Sequence, residues 1–378
     1  MTKVQRLCSV FMSLVLCLLL LFFRNPLQFY DHVYMRFPVY RHLERKADEV
    51  RAEADRETSK ELMVRNTEFL EQQIFEENEE ADDVQKEKTE KKQKTLEAAK
   101  DQKQEENPVL EAAAQRLPSP VIDLSMERLA DYQYLCREFF IVDASTRTSP
   151  EQLDARKFLE KDLTLRQDTS SPQILIYHSH SQEAFADSRE GVEEDTIVGV
   201  GSCLAEILRN LYGYQVIHVK EKFDLAGGVM DRNSAYDYAR EYIENVLAEN
   251  PSIEVVLDLH RDGVSEDRRL VTQINGKDTA QIMFYNGLSY TVSYGSVDYL
   301  PNPYIEDNLA FSFQLEYQAA QYYPDFYRGI YLAGLRYNLH LRPRALLLEV
   351  GAQTNTVQEA KNAMEPFADL LYRVLQGI

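Results

Sequence analysis

The chain has 378 residues, with 42 Lys or Arg against 62 Asp or Glu, and its formal net charge is -20. That length accommodates one large domain or two ordinary ones together with accessory segments. The acidic balance argues against nucleic acid as a partner, because binding to phosphates needs a basic surface.

The amino-terminal segment from Leu7 to Phe23 is almost wholly apolar. As a helix that rises ~1.5 Å per residue, it nearly matches a bilayer core of ~30 Å. Lys3 and Arg6 precede it, which predicts an amino terminus in the cytoplasm and a chain that continues outside the cell membrane. A cleaved signal peptide is the alternative, but no small-x-small cleavage site follows Phe23. We therefore predict a single-pass transmembrane anchor over residues 1–25.

Most of residues 26–120 consists of charged residues, Gln and Ala. Such a segment cannot bury enough apolar surface to form a core, and its apolar positions are too sparse for a sustained coiled-coil seam. We predict a charged stalk over residues 26–120, part helical and part disordered. A connecting segment over residues 121–170 and a globular domain over residues 171–378 complete the predicted organisation.

From residue 172 onward, strand-like and helix-like patterns alternate, which is typical of an α/β fold. The predicted strands cover residues 173–178, 214–219, 255–259, 269–274, 279–285 and 345–349. The predicted helices cover residues 196–211, 234–249, 303–322 and 357–375. Asn275-Gly276 separates two of these strands and is a strong β-hairpin signal.

The first candidate site follows the first predicted strand, in the run His178-Ser-His-Ser-Gln-Glu183. Residues three apart on a tight loop or first helical turn can face one point, so His180 and Glu183 can share a cation such as zinc. His178 is the alternative histidine, either as a ligand or as a group that orients a ligand. Glu194 is the alternative carboxylate, although an acidic residue before a helix also has a simple structural explanation. A polar loop without metal is the other interpretation of the whole run.

The second candidate site is Asp258-Leu-His-Arg-Asp262, at the end of a strand that reads as buried on both faces. So many charges at a buried strand end are costly unless they are paired or bind something. We assign His260 to the metal, Arg261 to a negative group of the substrate, and Asp262 to the orientation of a histidine or of the arginine. A structural ion-pair cluster explains Arg261 and Asp262 equally well.

The third candidate site is Glu349, which follows three leucines and precedes Val-Gly. In a zinc hydrolase, a second carboxylate takes a proton from the attacking water and later gives it to the leaving amine. We predict this catalytic role for Glu349, against the alternative of a buried structural carboxylate. No nucleophile elbow, Walker loop or dinucleotide fingerprint is present in the sequence.

Four tyrosines lie in an irregular stretch between the hairpin and the third predicted helix: Tyr290, Tyr294, Tyr299 and Tyr304. Their spacing suits the lining of a saccharide or peptide groove and suits ordinary packing equally well.

Several of these segments, in this order, resemble the stage II sporulation protein P family of endospore-forming bacteria. The segments that carry the resemblance are the amino-terminal anchor, Ile174–Glu183, Val256–Asp262, Gln273–Gly276, Gln281–Phe284, Arg336-Tyr-Asn338 with His340-Leu341, and Ala345–Gly351. The resemblance covers roughly residues 170 to 375. It implies a three-layer fold, with a mixed sheet and helices on both faces, similar to zinc-dependent N-acetylmuramoyl-L-alanine amidases.

The resemblance also implies an activity and a setting. Members of the family are peptidoglycan hydrolases that cleave the amide between stem peptide and glycan, and also peptide cross-links. They act during forespore engulfment with the sporulation proteins D and M as partners, which implies the engulfing membrane of the mother cell as the location.

For the site, the resemblance implies a Zn²⁺ ion held by His180, Glu183 and His260, with Glu349 as the catalytic carboxylate. It also implies that Arg336 and Asn338 bind substrate. The order H-x-x-E, then His, then Glu is similar to zinc carboxypeptidases and favours Glu183, whereas the related amidases favour Glu194.

We therefore predict a membrane-anchored zinc amidase or endopeptidase that acts on peptidoglycan, with its catalytic domain outside the cytoplasm. The alternatives are a zinc peptidase of carboxypeptidase type that acts on stem peptides alone, and a non-catalytic membrane-anchored scaffold.

Overall fold

The computed structural model describes residues 116–168, 170–228 and 230–378. The predicted anchor and almost all of the predicted stalk lie outside these residues. Within the described ranges, no helix combines the length and the apolar character needed to cross a membrane.

The described residues form eight α-helices and eleven strands, which we number in chain order. The helices are α1 (Met126–Leu129), α2 (Tyr132–Phe139), α3 (Ala155–Glu160), α4 (Ile197–Asn210), α5 (Arg232–Glu249), α6 (Ile305–Tyr322), α7 (Val357–Asn362) and α8 (Met364–Gln376). The strands are β1 (Phe140–Val142), β2 (Ile174–Tyr177), β3 (Val216–His218), β4 (Val255–Asp262), β5 (Val271–Ile274), β6 (Lys277–Ala280), β7 (Ile282–Gly287), β8 (Tyr290–Thr291), β9 (Gly295–Ser296), β10 (Tyr327–Ala333) and β11 (Arg344–Ala352).

Seven of these strands form one mixed sheet in the order β1-β10-β7-β11-β4-β2-β3. β11, β4, β2 and β3 are parallel to one another, and so are β1, β10 and β7. The two groups meet where β11 pairs with β7 in antiparallel orientation. Carboxyl ends of strands therefore lie at both ends of the sheet, as measured along the strand direction. The α/β class with a central mixed sheet, predicted from the sequence, is confirmed.

Helices cover both faces of the sheet, because successive residues of the central strands point to opposite sides. On one face, Ile176, Leu257 and Leu348 pack with residues of α4, α6 and α8. On the other face, Leu175, Val256 and Leu347 pack with α5. The buried residues of α5 recur every fourth position, which places them on one stripe of the helix: Ala235, Ala239, Ile243 and Leu247.

The segment 121–170, predicted to connect stalk and domain, contributes to the same core and sheet. Leu135, Phe139 and Phe158 are buried in the core cluster that contains the central strands. β1 pairs in parallel with β10 and adds an edge strand to the sheet. The sequence pattern showed only helical spacing here, because a three-residue strand is too short to produce a periodic signal.

Two other differences from the predicted elements have local causes. β10 was not predicted, because Gly329 interrupts its apolar pattern; this residue has φ +121°, and the register with β7 shifts at that point. The predicted helix 357–375 is two helices, α7 and α8. Pro366 lies in the first turn of α8, where its missing N–H is tolerated, whereas in a continuous helix it would break the interior.

The β5–β6 hairpin forms as predicted from Asn275-Gly276. Both residues have positive φ, 52° and 75°, as a two-residue hairpin turn of the favoured twist requires. The predicted strand 279–285, however, is divided between β6 of the hairpin and β7 of the seven-stranded sheet.

Candidate metal and active site

Three neighbouring parallel strands bring the candidate residues to one edge of the sheet. β11, β4 and β2 are adjacent and parallel, so their carboxyl ends lie side by side, the usual position of a site in an α/β sheet. His180 and Glu183 lie in the loop after β2 and His260 lies near the end of β4. Glu349 of β11 is the direct register partner of His260.

Three residues form a compact group, which we call the metal group: His180, Glu183 and His260. Their potential ligand atoms all lie within 4.8 Å of one another. Oε1 of Glu183 lies 3.3 Å from Nδ1 of His180 and 3.6 Å from Nδ1 of His260. Ligand atoms of a tetrahedral zinc ion, at 2.0–2.1 Å from the metal, lie about 3.3 Å apart. The buried Nε2 of His180 has no hydrogen-bond partner among the described residues. Two imidazoles and a carboxylate at these distances fit a zinc ion with one open position.

Two buried carboxylates hold the loop after β2 in place. Asp258 accepts hydrogen bonds from the backbone N–H of Ser179 (2.8 Å) and from its hydroxyl (2.5 Å). Asp224 accepts from the hydroxyl of Ser181 (2.6 Å) and from the N–H of Gln182 (3.0 Å). The two serines flank His180, so these bonds orient that histidine. No pattern in the sequence indicated Asp224, which is 42 residues distant from Gln182 along the chain.

Glu183 is fixed from both sides. Its Oε2 accepts a hydrogen bond from the backbone N–H of Arg261 (2.8 Å), which leaves Oε1 facing the two histidines. Burial alone would raise the pKa of this carboxyl, but the His260 and His180 rings outweigh it and hold the pKa well below its ordinary value. Glu183 therefore stays ionised, as a metal ligand must.

His260 lies between two carboxylates. Its Nε2 is 2.9 Å from Oδ1 of Asp258, on the side opposite Glu183. Burial alone would lower the pKa of this histidine, but the negative charges of Asp258 and Glu183 raise it well above its ordinary value. The 2.9 Å distance places the negative charge of Asp258 against Nε2, while Nδ1 faces Glu183 and is available to a cation.

Glu349 is a carboxyl candidate whose pKa is raised by its buried position. Its Oε2 is buried without a hydrogen-bond partner among the described residues. Burial, followed by the negative charge of Asp262, raises the pKa of Glu349 to about 8. A carboxyl group with such a pKa is suited to exchange protons near neutral pH.

Arg261 and Asp262 contact protein groups. Nε of Arg261 donates to the backbone carbonyl of Ala184 (2.9 Å), which ties the loop after β2 to β4. Asp262 lies 2.7 Å from Nη1 of Arg328, a β10 residue that the sequence did not single out. These contacts support the orientation of the site. The role predicted for Arg261 in binding a negative group of the substrate stays a prediction.

The alternative candidates His178 and Glu194 lie outside the three-residue group. Nδ1 of His178 donates to the carbonyl of Leu259 (2.9 Å), so Nε2 accepts from His218 (2.8 Å). A Cβ atom at Gly201 would lie 2.6 Å from Nε2 of His178, so a glycine is needed where α4 crosses this pair. Glu194 is exposed in a short 3₁₀ turn. The structure therefore brings His180 and Glu183 together with His260.

Arg336 and Asn338, predicted to bind substrate, contact other parts of the chain. Nη1 of Arg336 donates to the carbonyl of Pro301 (3.2 Å). Nδ2 of Asn338 donates to the carbonyl of Tyr236 (2.7 Å). Asn338 therefore contacts Tyr236, a neighbour of His180 and His260. The substrate-binding role of Arg336 and Asn338 stays a prediction.

Tyr236 is a further residue of the site that the sequence did not reveal. Its ring centroid lies 5.3 Å from that of His180 and 6.2 Å from that of His260, so it forms an aromatic wall beside both histidines. It belongs to the regular pattern of α5, where nothing in the sequence distinguishes it from a packing residue.

Comparison with known proteins identifies related sequences and folds. The family model described as Stage II sporulation protein P matches residues 38–372. The curated Stage II sporulation protein P of Bacillus subtilis (strain 168) is 22% identical over 213 residues, which are 52% of this chain and 49% of the relative. The chain thus matches about half the length of that protein.

Two solved structures illustrate the structural similarity. The catalytic domain of CwlV, an N-acetylmuramoyl-L-alanine amidase from Bacillus (Paenibacillus) polymyxa var. colistinus, is 14% identical; the match covers 53% of this chain and 96% of that one, with a TM-score of 0.30. The N-acetylmuramyl-L-alanine amidase Ami1 from Mycobacterium smegmatis is 13% identical, with coverages of 55% and 96% and a TM-score of 0.33.

Proposed function

Because this chain belongs to the stage II sporulation protein P family, we propose that it is a peptidoglycan hydrolase of sporulation. We place its reaction centre at His180, Glu183, His260 and Glu349. The observation that carries the proposal is the convergence of three potential ligands within 4.8 Å, beside a carboxyl group whose pKa is raised to about 8.

His180, Glu183 and His260 are the residues that would hold a zinc ion. A bound zinc ion supplies a Lewis acid that polarises an amide carbonyl and favours the ionisation of water. The carboxylate of Asp258 lies against His260, and the N–H of Arg261 orients Glu183.

Glu349 performs the proton transfers in this proposal. Its unpartnered Oε2 accepts the proton of the attacking water, and the same carboxyl group then donates a proton to the leaving amine. A raised pKa supports both steps, because the group must be an adequate base and an adequate acid at neutral pH.

The bond that we propose as the substrate is the N-acetylmuramoyl-L-alanine amide, with peptide cross-links as a second target. Purified wall digested by the full chain, followed by mass analysis of the products, tests this assignment. An amidase releases whole stem peptides and leaves glycan without peptide. Digests that contain no released stem peptide would contradict it.

A zinc peptidase of carboxypeptidase type is the second candidate. The observation that favours it is the presence of Glu183, rather than Glu194, beside the two histidines, since the ligand order H-x-x-E then His is similar to that of zinc carboxypeptidases. The same mass analysis separates the two, because a carboxypeptidase leaves shortened stem peptides on the glycan. A non-catalytic scaffold would have no reason to hold stoichiometric zinc, so the metal content of the purified chain tests that alternative.

The predicted location and partners are part of the proposal. The apolar segment from Leu7 to Phe23 supports a membrane anchor with the reaction centre outside the cytoplasm. Protease added to intact protoplasts should then degrade the carboxyl-terminal part of the chain, and full protection would contradict this topology. Sporulation proteins D and M are the proposed partners, which co-purification from sporulating cells would test.

A further inference from the structure

A polar cavity lies at the end of the sheet opposite His180, Glu183 and His260. The carboxyl ends of β1, β10 and β7 meet at that end, because these strands run against β11. The cavity has a volume of about 550 Å³ and opens between the segment after β1 and the segment after β7. Its volume is within the range of small-ligand sites, roughly 300–1,000 Å³.

The walls of the cavity are tied together by hydrogen bonds. Thr146 Oγ1 donates to the carbonyl of Tyr290 (2.7 Å), and the N–H of Val292 donates to the carbonyl of Ser145 (2.8 Å). These bonds link the segment after β1 to the segment after β7. The cavity is therefore formed by the fold itself, and a ligand would not have to order its walls.

Two polar atoms of the lining are buried without a partner among the described residues, Oγ of Ser289 and Nδ2 of Asn302. Ser289 is 8% exposed. It also has φ +47°, a left-handed conformation that a non-glycine residue adopts at a cost and that is common at functional positions. Buried polar atoms without a partner are destabilising, and a ligand that accepts from both would remove that cost.

Arg147 supplies a positive charge to the same cavity. Its guanidinium carbon lies 5.1 Å from the ring centroid of Tyr290. The lining also contains one acidic residue, Asp298, whose side chain is exposed. A guanidinium group stacked on an aromatic ring keeps its N–H edge available for a carboxylate. Together with Ser289 and Asn302, it makes three side chains that can donate hydrogen bonds into the cavity. Leu288 and Val297, both buried, give the lining an apolar part that suits a small alkyl group.

We propose that this cavity binds the terminal carboxylate of a short peptide that ends in a small apolar residue. The donors of Arg147, Ser289 and Asn302 take the carboxylate, and the apolar lining takes the side chain. The binding of such a peptide is inferred from the cavity alone. The assignment of this peptide to the stem peptides of the wall rests on the proposed function. The chain then has a second peptide site, separated from the reaction centre by the length of the strands.

Calorimetric titration of the purified full chain with N-acetyl-Lys-D-Ala-D-Ala, as the free acid and as the carboxyl-terminal amide, tests the proposal. We expect the acid to bind at least about tenfold more tightly than the amide, because the amide loses the charge-assisted hydrogen bonds. Arg147→Gln should raise the Kd of the acid about tenfold. Arg156→Gln, which replaces an exposed arginine on α3, is the matched control and should leave the Kd unchanged.

Three results would each overturn the proposal. They are equal affinities for the acid and the amide, no binding of the acid at millimolar concentration, and an unchanged Kd in Arg147→Gln. Displacement of the peptide by chitotriose, which has no carboxylate, would identify a saccharide site instead and would also overturn it. Glu183→Ala separates the two proposals. Its zinc content and wall hydrolysis report on the proposed function, whereas its affinity for the acid should be unchanged. If Glu183→Ala loses the peptide, the peptide binds at the reaction centre and the second site is rejected.

Discussion

Oδ1 of Asp258 lies 2.9 Å from Nε2 of His260, and both residues belong to the same strand, β4. They are two positions apart, so the alternation of the strand places their side chains on one face. The same carboxylate accepts two hydrogen bonds from Ser179, at the start of the loop that carries His180. Asp258 therefore couples the orientation of one histidine to the position of the other.

We expect Asp258→Asn to lower the affinity for zinc about 10- to 100-fold, because an amide orients and polarises the imidazole less well than a carboxylate. A competition titration against a chromophoric zinc chelator measures the change. Asp267→Asn, which alters an exposed aspartate, is the control and should retain full affinity. Unchanged affinity in Asp258→Asn would show that this carboxylate does not orient a ligand.

The choice between two glutamates is open to a direct test. Glu183→Gln should lose stoichiometric zinc, because the amide cannot supply the charged ligand that faces both histidines. Glu194→Gln should bind zinc normally, because Glu194 is exposed and lies outside the group. Metal analysis of both purified variants gives the answer, and the reverse pattern would assign the ligand to Glu194.

Glu349→Gln separates metal binding from catalysis. We expect this variant to retain zinc and to lose wall hydrolysis by about 10²- to 10⁴-fold, the usual contribution of a general acid–base group. The experiment measures zinc content and dye release from labelled wall on one preparation. Glu365→Gln, at a half-exposed residue of α8, serves as the control for both measurements. Hydrolysis at the wild-type rate would remove Glu349 from the proposed mechanism.

The burial of Glu316 makes the free energy of unfolding depend on pH, and this dependence does not involve the metal group. This residue of α6 is 0% exposed, and neither carboxyl oxygen has a hydrogen-bond partner in the part of the chain that the structure describes. Burial raises the pKa of Glu316 well above its ordinary value. The folded chain therefore holds the proton when the unfolded chain has already released it. The contribution of this residue to stability is complete below its unfolded pKa, 4.5, and is lost as the pH rises towards its folded pKa.

We accordingly expect Glu316→Gln to be more stable than the wild type at pH 8, by about 1–3 kcal/mol, since it removes a buried group that resists ionisation. The difference should shrink as the pH falls to 5. Urea unfolding at both pH values measures it, with Glu306→Gln, an exposed glutamate at the start of α6, as the control. An equal effect at pH 5 and pH 8 would mean that Glu316 does not titrate in the folded chain.

Local sequence patterns were sufficient to predict the α/β class, the β5–β6 hairpin and the positions of His180, His260 and Glu349 at or shortly after the ends of strands. These features depend on local information. Apolar periodicity specifies a strand or helix, and Asn275-Gly276 specifies a turn through the φ values that these residues tolerate.

Strand pairing, in contrast, determines which of the candidate groups meet. Parallel pairing of β2, β4 and β11 brings Glu183 to the histidines, while Glu194 remains exposed and His178 turns to His218. Asp224, Tyr236 and Arg328 could not be predicted, because their partners are distant in sequence and their own segments have ordinary patterns. The reversal of direction between β11 and β7, which creates a second edge with its own cavity, is likewise a property of strand pairing. Hydrophobic periodicity specifies which face of a strand is buried, but the neighbour and direction of that strand follow only when all strands pack together.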